Sequence, residues 1–206
     1  SFQGFGAIVC DSQTGQTHLR SFSHDSPISF TGFDKSGETL ITVSPDGQIG
    51  FSQATGGTSS LRLEKQGRIT VCQMSPDGTL LALGNDAGTM TLVGVNERRI
   101  LEAPKSSSTS AVRQITFDDN GRNLAMLDLD GAIQVLDLQT QEAMQFQAAG
   151  ATGIDLSPDD HGGIPFGRGQ HGGHHRGGGG LSVGARDGDA QLAAHELSQH
   201  LCSRNN

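Results

Sequence analysis

The side chains of this chain able to do chemistry are histidines, paired aspartates and a few arginines, and their spacing argues for binding rather than catalysis. Asp118-Asp119 and Asp159-Asp160 each place two carboxylates side by side, as a general acid and base would require. Both pairs occupy surface turns between expected strands, where solvated carboxylates hydrogen-bond the reversing backbone. His161, His171, His174 and His175 offer imidazoles to a transition metal, but no cysteine or carboxylate stands among them and no regular element would hold them tetrahedrally. His24 is the strongest single candidate for a buried polar role, as a structural hydrogen bond where a strand unit begins. The chain contains no H-E-x-x-H or phosphate-loop pattern. No catalytic, cofactor-binding or metal site is therefore assigned.

A repeat positions these residues. The apolar runs Ile28 to Phe33, Ile69 to Met74 and Val112 to Phe117 each lead into a polar glycine turn and then a second apolar run. Gly37, Gly78 and Gly121 follow one another at intervals of 41 and 43 residues, and Gly47, Gly88 and Gly131 repeat those intervals. A period near forty, made of short strands and glycine turns, is that of a four-stranded propeller blade, whereas helical repeats of such length need apolar residues three and four apart. Val112, Gln114 and Thr116 alternate with Arg113, Ile115 and Phe117, marking a strand with two unlike faces. Asn123 to Leu127 is almost all apolar, marking a strand buried on both. Ser44-Pro45-Asp46-Gly47 and Ser75-Pro76-Asp77-Gly78 place proline at a turn value of φ and glycine where φ turns positive.

The expected fold is all-β, a partial β-propeller of four-stranded antiparallel blades with a disordered Gly/His-rich tail. Full blades are expected at Pro27 to Lys65, Gln66 to Leu101 and Ala111 to Phe146, with half a blade at Ala7 to Phe22 and the start of another at Gly153 to Asp159. An open stack of blades leaves unpaired strand edges and an uncovered face. The chain is thus expected to be a fragment completed by missing blades, or to be closed by a partner or a second copy.

The chain lacks tryptophan and tyrosine, so its core must come from Leu, Ile, Val, Met, Ala and nine Phe. Residues 1–160 hold 10 Lys and Arg against 19 Asp and Glu, which leaves -9, while the remainder carries +1. Such an acidic unit is poorly suited to nucleic acid, and its one adjacent basic pair, Arg98-Arg99, reads as a solvated turn or strand end. Cys10, Cys72 and Cys202 are odd in number and widely spaced, as fits reduced thiols inside a cell. With no apolar stretch of membrane-spanning length, an intracellular, cytoplasmic location and no membrane partner are expected.

These units resemble WD40 repeats over roughly residues 6 to 160. Leu129-Asp130-Gly131-Ala132-Ile133-Gln134-Val135-Leu136-Asp137-Leu138 resembles the family's D-G-x-I-x-V-W-D ending, with Leu136 in place of Trp; Ser52 and Val93 take that place in the other units. His24-Asp25-Ser26-Pro27-Ile28 resembles the G-H-x-x-P-V lead-in, with Ser23 replacing Gly. In that family the lead-in His, the Asp of the turn before the third strand and the Trp form a buried hydrogen-bonded network, of which His24 and Asp46 supply a part here. The resemblance implies a non-catalytic protein–protein interaction scaffold within a multiprotein assembly, and the acidic surface favours basic peptides as partners. The alternatives are an RNA-associated scaffold or a propeller-fold enzyme whose site lies outside these residues.

The repeat fails at His161. Residues 161–188 are rich in Gly, His and Arg and read as flexible, since ordering glycine is costly and there is little to bury. Phe166-Gly167-Arg168-Gly169 and Arg176-Gly177-Gly178 resemble a sparse RNA-binding Arg-Gly tail. Residues 189–202 form a short amphipathic pattern, capped by Asp189, with Ala190, Ala193, Ala194, Leu197 and Leu201 at helical spacing. So abrupt a break directly after Ser157-Pro158-Asp159 is also what a shift of reading frame would leave.

Overall fold

The computed structural model describes residues 4–64, 67–101 and 108–147, together with strands at 151–155, 164–165 and 180–185. Among these residues every regular element is a strand, numbered here in chain order. The first full sheet contains β3 (Phe30–Phe33), β4 (Thr39–Val43), β5 (Gln48–Gln53) and β6 (Thr58–Arg62). The second contains β7 (Ile69–Met74), β8 (Leu80–Asn85), β9 (Met90–Gly94) and β10 (Arg99–Leu101). The third contains β11 (Val112–Phe117), β12 (Asn123–Asp128), β13 (Ala132–Asp137) and β14 (Ala143–Gln147). Each is an antiparallel meander with its strands in sequence order, so the glycine beat does mark out the blades of a partial β-propeller. A hairpin of β1 (Ile8–Cys10) and β2 (Thr17–Arg20) precedes them.

After them, β15 (Ala151–Asp155), β16 (Ile164–Pro165) and β17 (Gly180–Ala185) form a three-stranded sheet in the order β15-β17-β16. Two of these strands come from the segment that reads as flexible, with Leu181 opposite Ile164 and Val183 opposite Ile154 in the pairing register. The alternation of Leu181, Ser182 and Val183 supports a strand there, although the neighbouring glycines mask it in the sequence. Asp159, Asp160, the four histidines of 161–175, Arg168, Arg176, Cys202 and the helical pattern over 189–202 lie outside the described residues.

The core lies between sheets, because side chains on a strand alternate between its faces. One cluster joins Ile41, Val43, Ile49 and Phe51 of the first sheet to Leu81, Leu83 and Val93 of the second. The next joins Ala82 and Leu92 of the second sheet to Leu124, Met126 and Leu136 of the third. The second strand of each sheet is buried, as its unbroken apolar run requires, and the third strand is buried beside it. The leading strands β7, β11 and β15 lie side by side. Thr70 Oγ1 donates across from β7 to Val112 O at 2.7 Å, and Ile154 N–H donates to Gln114 Oε1 at 3.1 Å.

The turns between first and second strands share one device, in which a side chain accepts N–H groups from the strand beyond. Asp34 Oδ1 takes those of Glu38 and Thr39, both at 3.0 Å. Ser75 Oγ takes that of Leu80 at 2.9 Å, and Asp118 Oδ1 those of Arg122 at 2.7 Å and Asn123 at 3.0 Å. The second of these turns presses on the first: a Cβ on Gly78 would lie 2.5 Å from Lys35 N.

Candidate functional site

Three connections meet at the end of the sheets opposite those turns: residues 21–29 before β3, residues 44–47 between β4 and β5, and the link from β6 to β7. Between them is a cleft of about 540 Å³ lined by Ser26, Pro27, Pro45, Asp46, Gly67 and Arg68. One main-chain bond of the other sheets is lacking at this place. In the second and third sheets a main-chain bond ties the turn after the second strand to the lead-in of the first, from Asp86 N–H to Arg68 O at 2.9 Å and from Leu129 N–H to Ala111 O at 3.0 Å. Pro45 occupies the same place, 41 residues before Asp86 and 84 before Leu129, and proline has no N–H to give. The matching acceptor, Pro27 O, makes no hydrogen bond among the described residues. Side chains bridge the two segments instead, Ser26 Oγ donating to Asp46 Oδ1 at 2.8 Å, while Ile69 N–H donates to Pro45 O at 2.9 Å and fixes the third connection to them.

A buried relay braces the cleft from behind. Ser44 Oγ donates to Asp46 Oδ1 at 2.5 Å, which commits its single hydrogen. His24 Nδ1, 3.0 Å from Ser44 Oγ, is therefore the donor in that contact, and Nε2 lies 2.7 Å from Thr42 Oγ1, which is 3.5 Å from Gly50 O. Full burial lowers the pKa of His24 below the ordinary value, against the attraction of Asp46 and Asp25. Asp46 also accepts from Ser26 Oγ at 2.8 Å and from Arg62 Nη2 at 3.1 Å. Partial burial raises the pKa of Asp46, but the hydrogen bonds of Ser44 and Ser26 and the Arg62 charge outweigh it and hold the carboxyl below its usual range. Arg62 lies 4.0 Å from Asp25, whose side chain is 68% exposed and makes no closer ion pair. Arg68, on the far wall, gives its backbone N–H to Asp86 Oδ1 at 2.9 Å, and its guanidinium has no partner among the described residues.

The relay has a counterpart in the third sheet. Ser108 Oγ donates to Asp128 Oδ2 at 2.5 Å, and both residues stand 84 positions after His24 and Ser44. At the place of the family's Trp, Ser52 Oγ accepts the N–H of Phe22 at 2.7 Å, so a hydroxyl joins the two neighbouring units where a ring was absent.

His24 and Asp46, suggested by the sequence, are brought together, with Ser44 between them. Asp118 and Asp119 are not an acid–base pair: Asp118 is tied up accepting the N–H groups of its turn, and Asp119 is exposed. Arg98 sits on a turn as expected, but it is no free charge, because its guanidinium lies 5.9 Å from the Phe51 ring centroid and donates to Ser59 Oγ at 2.9 Å. Cys10 is exposed, while burial pushes the Cys72 thiol up to about 12. Ser44, Pro45 and Arg68 were not among the sequence candidates. The signal that would have found them is proline at a repeat position where the other units carry an N–H donor.

The family model described as the anaphase-promoting complex subunit 4 WD40 domain matches residues 72–154. Apoptotic protease-activating factor 1 of Rattus norvegicus is 25% identical over 109 residues, 53% of this chain and 9% of that protein. A guanine nucleotide-binding protein subunit beta-like protein of Encephalitozoon cuniculi (strain GB-M1) is 28% identical over 147 residues, 68% of this chain and 44% of that protein. The chain thus spans less than half the length of either relative.

Proposed function

We propose that the chain is a divergent member of the WD40-repeat family and that it is a non-catalytic scaffold that docks other proteins within a multiprotein assembly. The observation that carries this is the cleft at Ser26, Pro45 and Arg68, a concave site on three loops whose walls are held by a buried relay. Loops on a rigid sheet frame are where such folds place recognition. A net charge of -8 favours basic partners, by steering their approach. Among the described residues no helix is long and apolar enough to cross a membrane, and no group of three or more His, Cys, Asp or Glu side chains gathers as a metal site.

Cross-linking of the full chain in its native complexes, followed by mass spectrometry, tests the proposal. Cross-links from partner proteins should map to residues 21–29, 44–47 and 63–68. A chain that carries no partner, or partners joined only at the opposite end of the sheets, would refute it.

A further inference from the structure

We propose that Ser26 is a phosphorylation site, whose phosphate is held across the cleft by Arg68 and shuts the cleft to the partner; this rests on the scaffold reading above and supplies its regulation. Three Ser-Pro pairs lie among the described residues, and they differ in access. Ser44 and Ser75 are buried, and their hydroxyls donate inside their own turns to Asp46 and Asp77. Ser26 is half-buried between exposed Asp25 and Pro27, on a connection outside any strand, where a protein kinase that selects proline after serine can reach it. In the transfer Ser26 Oγ bonds to the γ-phosphorus of ATP, the bond from that phosphorus to the bridging oxygen breaks, ADP leaves, and the hydroxyl proton passes to the kinase's base. That proton is the one Ser26 donates to Asp46 Oδ1 at 2.8 Å, so the tie between the two segments is lost and a phosphate faces an ionised carboxylate. In the second and third sheets the main-chain bonds of Asp86 and Leu129 would keep the segments joined, but Pro45 provides none here. The new charge finds its counter-ion on the far wall. The Arg68 guanidinium lines the cleft, is exposed and has no partner among the described residues, and a guanidinium meets phosphate with two parallel N–H groups. Arg62 is less suited, since Asp46 already engages its Nη2 at 3.1 Å.

The test treats the full chain with a proline-directed serine kinase and magnesium ATP and maps phosphate by mass spectrometry. Phosphate should appear at Ser26 and not at Ser44 or Ser75. In phosphorus-31 spectra, the signal that Ser26→Ala lacks should titrate at a higher pH in Arg68→Gln than in the unaltered chain, by roughly half a unit, for the pull of one charge at about 4 Å through water. In native complexes, treatment should remove the cross-links from partners to residues 21–29 and 44–47, and it should change nothing in Ser26→Ala. Ser26 left unmodified by a kinase active on a Ser-Pro control peptide, the same titration with and without Arg68, or cross-links that survive full phosphorylation overturn the proposal. A chain without partners before treatment would end the scaffold, and with it the shutting of the cleft, but not the phosphate held by Arg68.

Discussion

Alanine at Gly78, compared with alanine at Gly37, isolates the force that presses one blade on the next. Both glycines close the turn between first and second strands, with φ of 68° and 73°. Placing an L residue in that left-handed region costs about 1–2 kcal/mol at either position. Their surroundings differ. A Cβ on Gly37 meets nothing within 4 Å, while one on Gly78 lies 2.5 Å from Lys35 N and 3.0 Å from Asp34 C, both backbone atoms of the preceding blade that no rotamer change can move. Gly78→Ala must push the two turns apart, an overpacking cost of about 1–3 kcal/mol beyond the turn cost. With a urea m-value of about 1–3 kcal/mol/M, the extra term separates the two midpoints by about 1 M. The chain has no tryptophan or tyrosine, so far-ultraviolet circular dichroism is the suitable signal. Identical midpoints for the two variants would show that the second turn does not rest on the first, and the stacked arrangement would be wrong.

The remaining predictions concern titration and reactivity. Burial lowers the pKa of His24 in the folded chain below its ordinary 6.5, so the folded state binds this proton less readily than the unfolded one. Its contribution to stability is fully present above about pH 6.5 and is lost as pH falls below that value; thermal melts across this window should show the loss, and His24→Asn should flatten it. An unaltered slope in the variant would refute the assignment. With its thiol pushed up to about 12 by burial, Cys72 should resist iodoacetamide in mildly alkaline buffer while exposed Cys10 is alkylated, and denaturant should abolish the difference. Equal labelling of both in the native chain, followed by peptide mapping, would count against the burial described.

The strands were legible because their causes are local. The unbroken run Leu124 to Leu127 had to be covered on both faces, and the glycines of the turns sit at positive φ. The cleft was hidden for the opposite reason. Ser26, Pro45 and Arg68 stand about twenty residues apart in sequence and meet only when two blades are stacked, and Ser44-Pro45 reads as ordinary turn chemistry until its missing N–H is compared with those of Asp86 and Leu129. Arg98 was similarly opaque, because a charged turn residue gives no sign in sequence that a ring on the neighbouring sheet lies beneath it. In Gly180–Ala185 the surrounding glycines concealed a strand whose apolar alternation is only two residues deep.

The second sheet does not own its interior, since Leu81 and Leu83 turn toward one neighbour and Ala82 and Leu92 toward the other. Growth or loss by whole units is then mechanically conservative: inserting one duplicate adds one seam of the same kind and leaves both outermost surfaces as they were. A deletion of half that length would expose two seams at once and flip the side-chain alternation of whatever strand it cut. The spacing of 41 and 43 residues is thus the grain along which such a chain can be lengthened or shortened without coming apart.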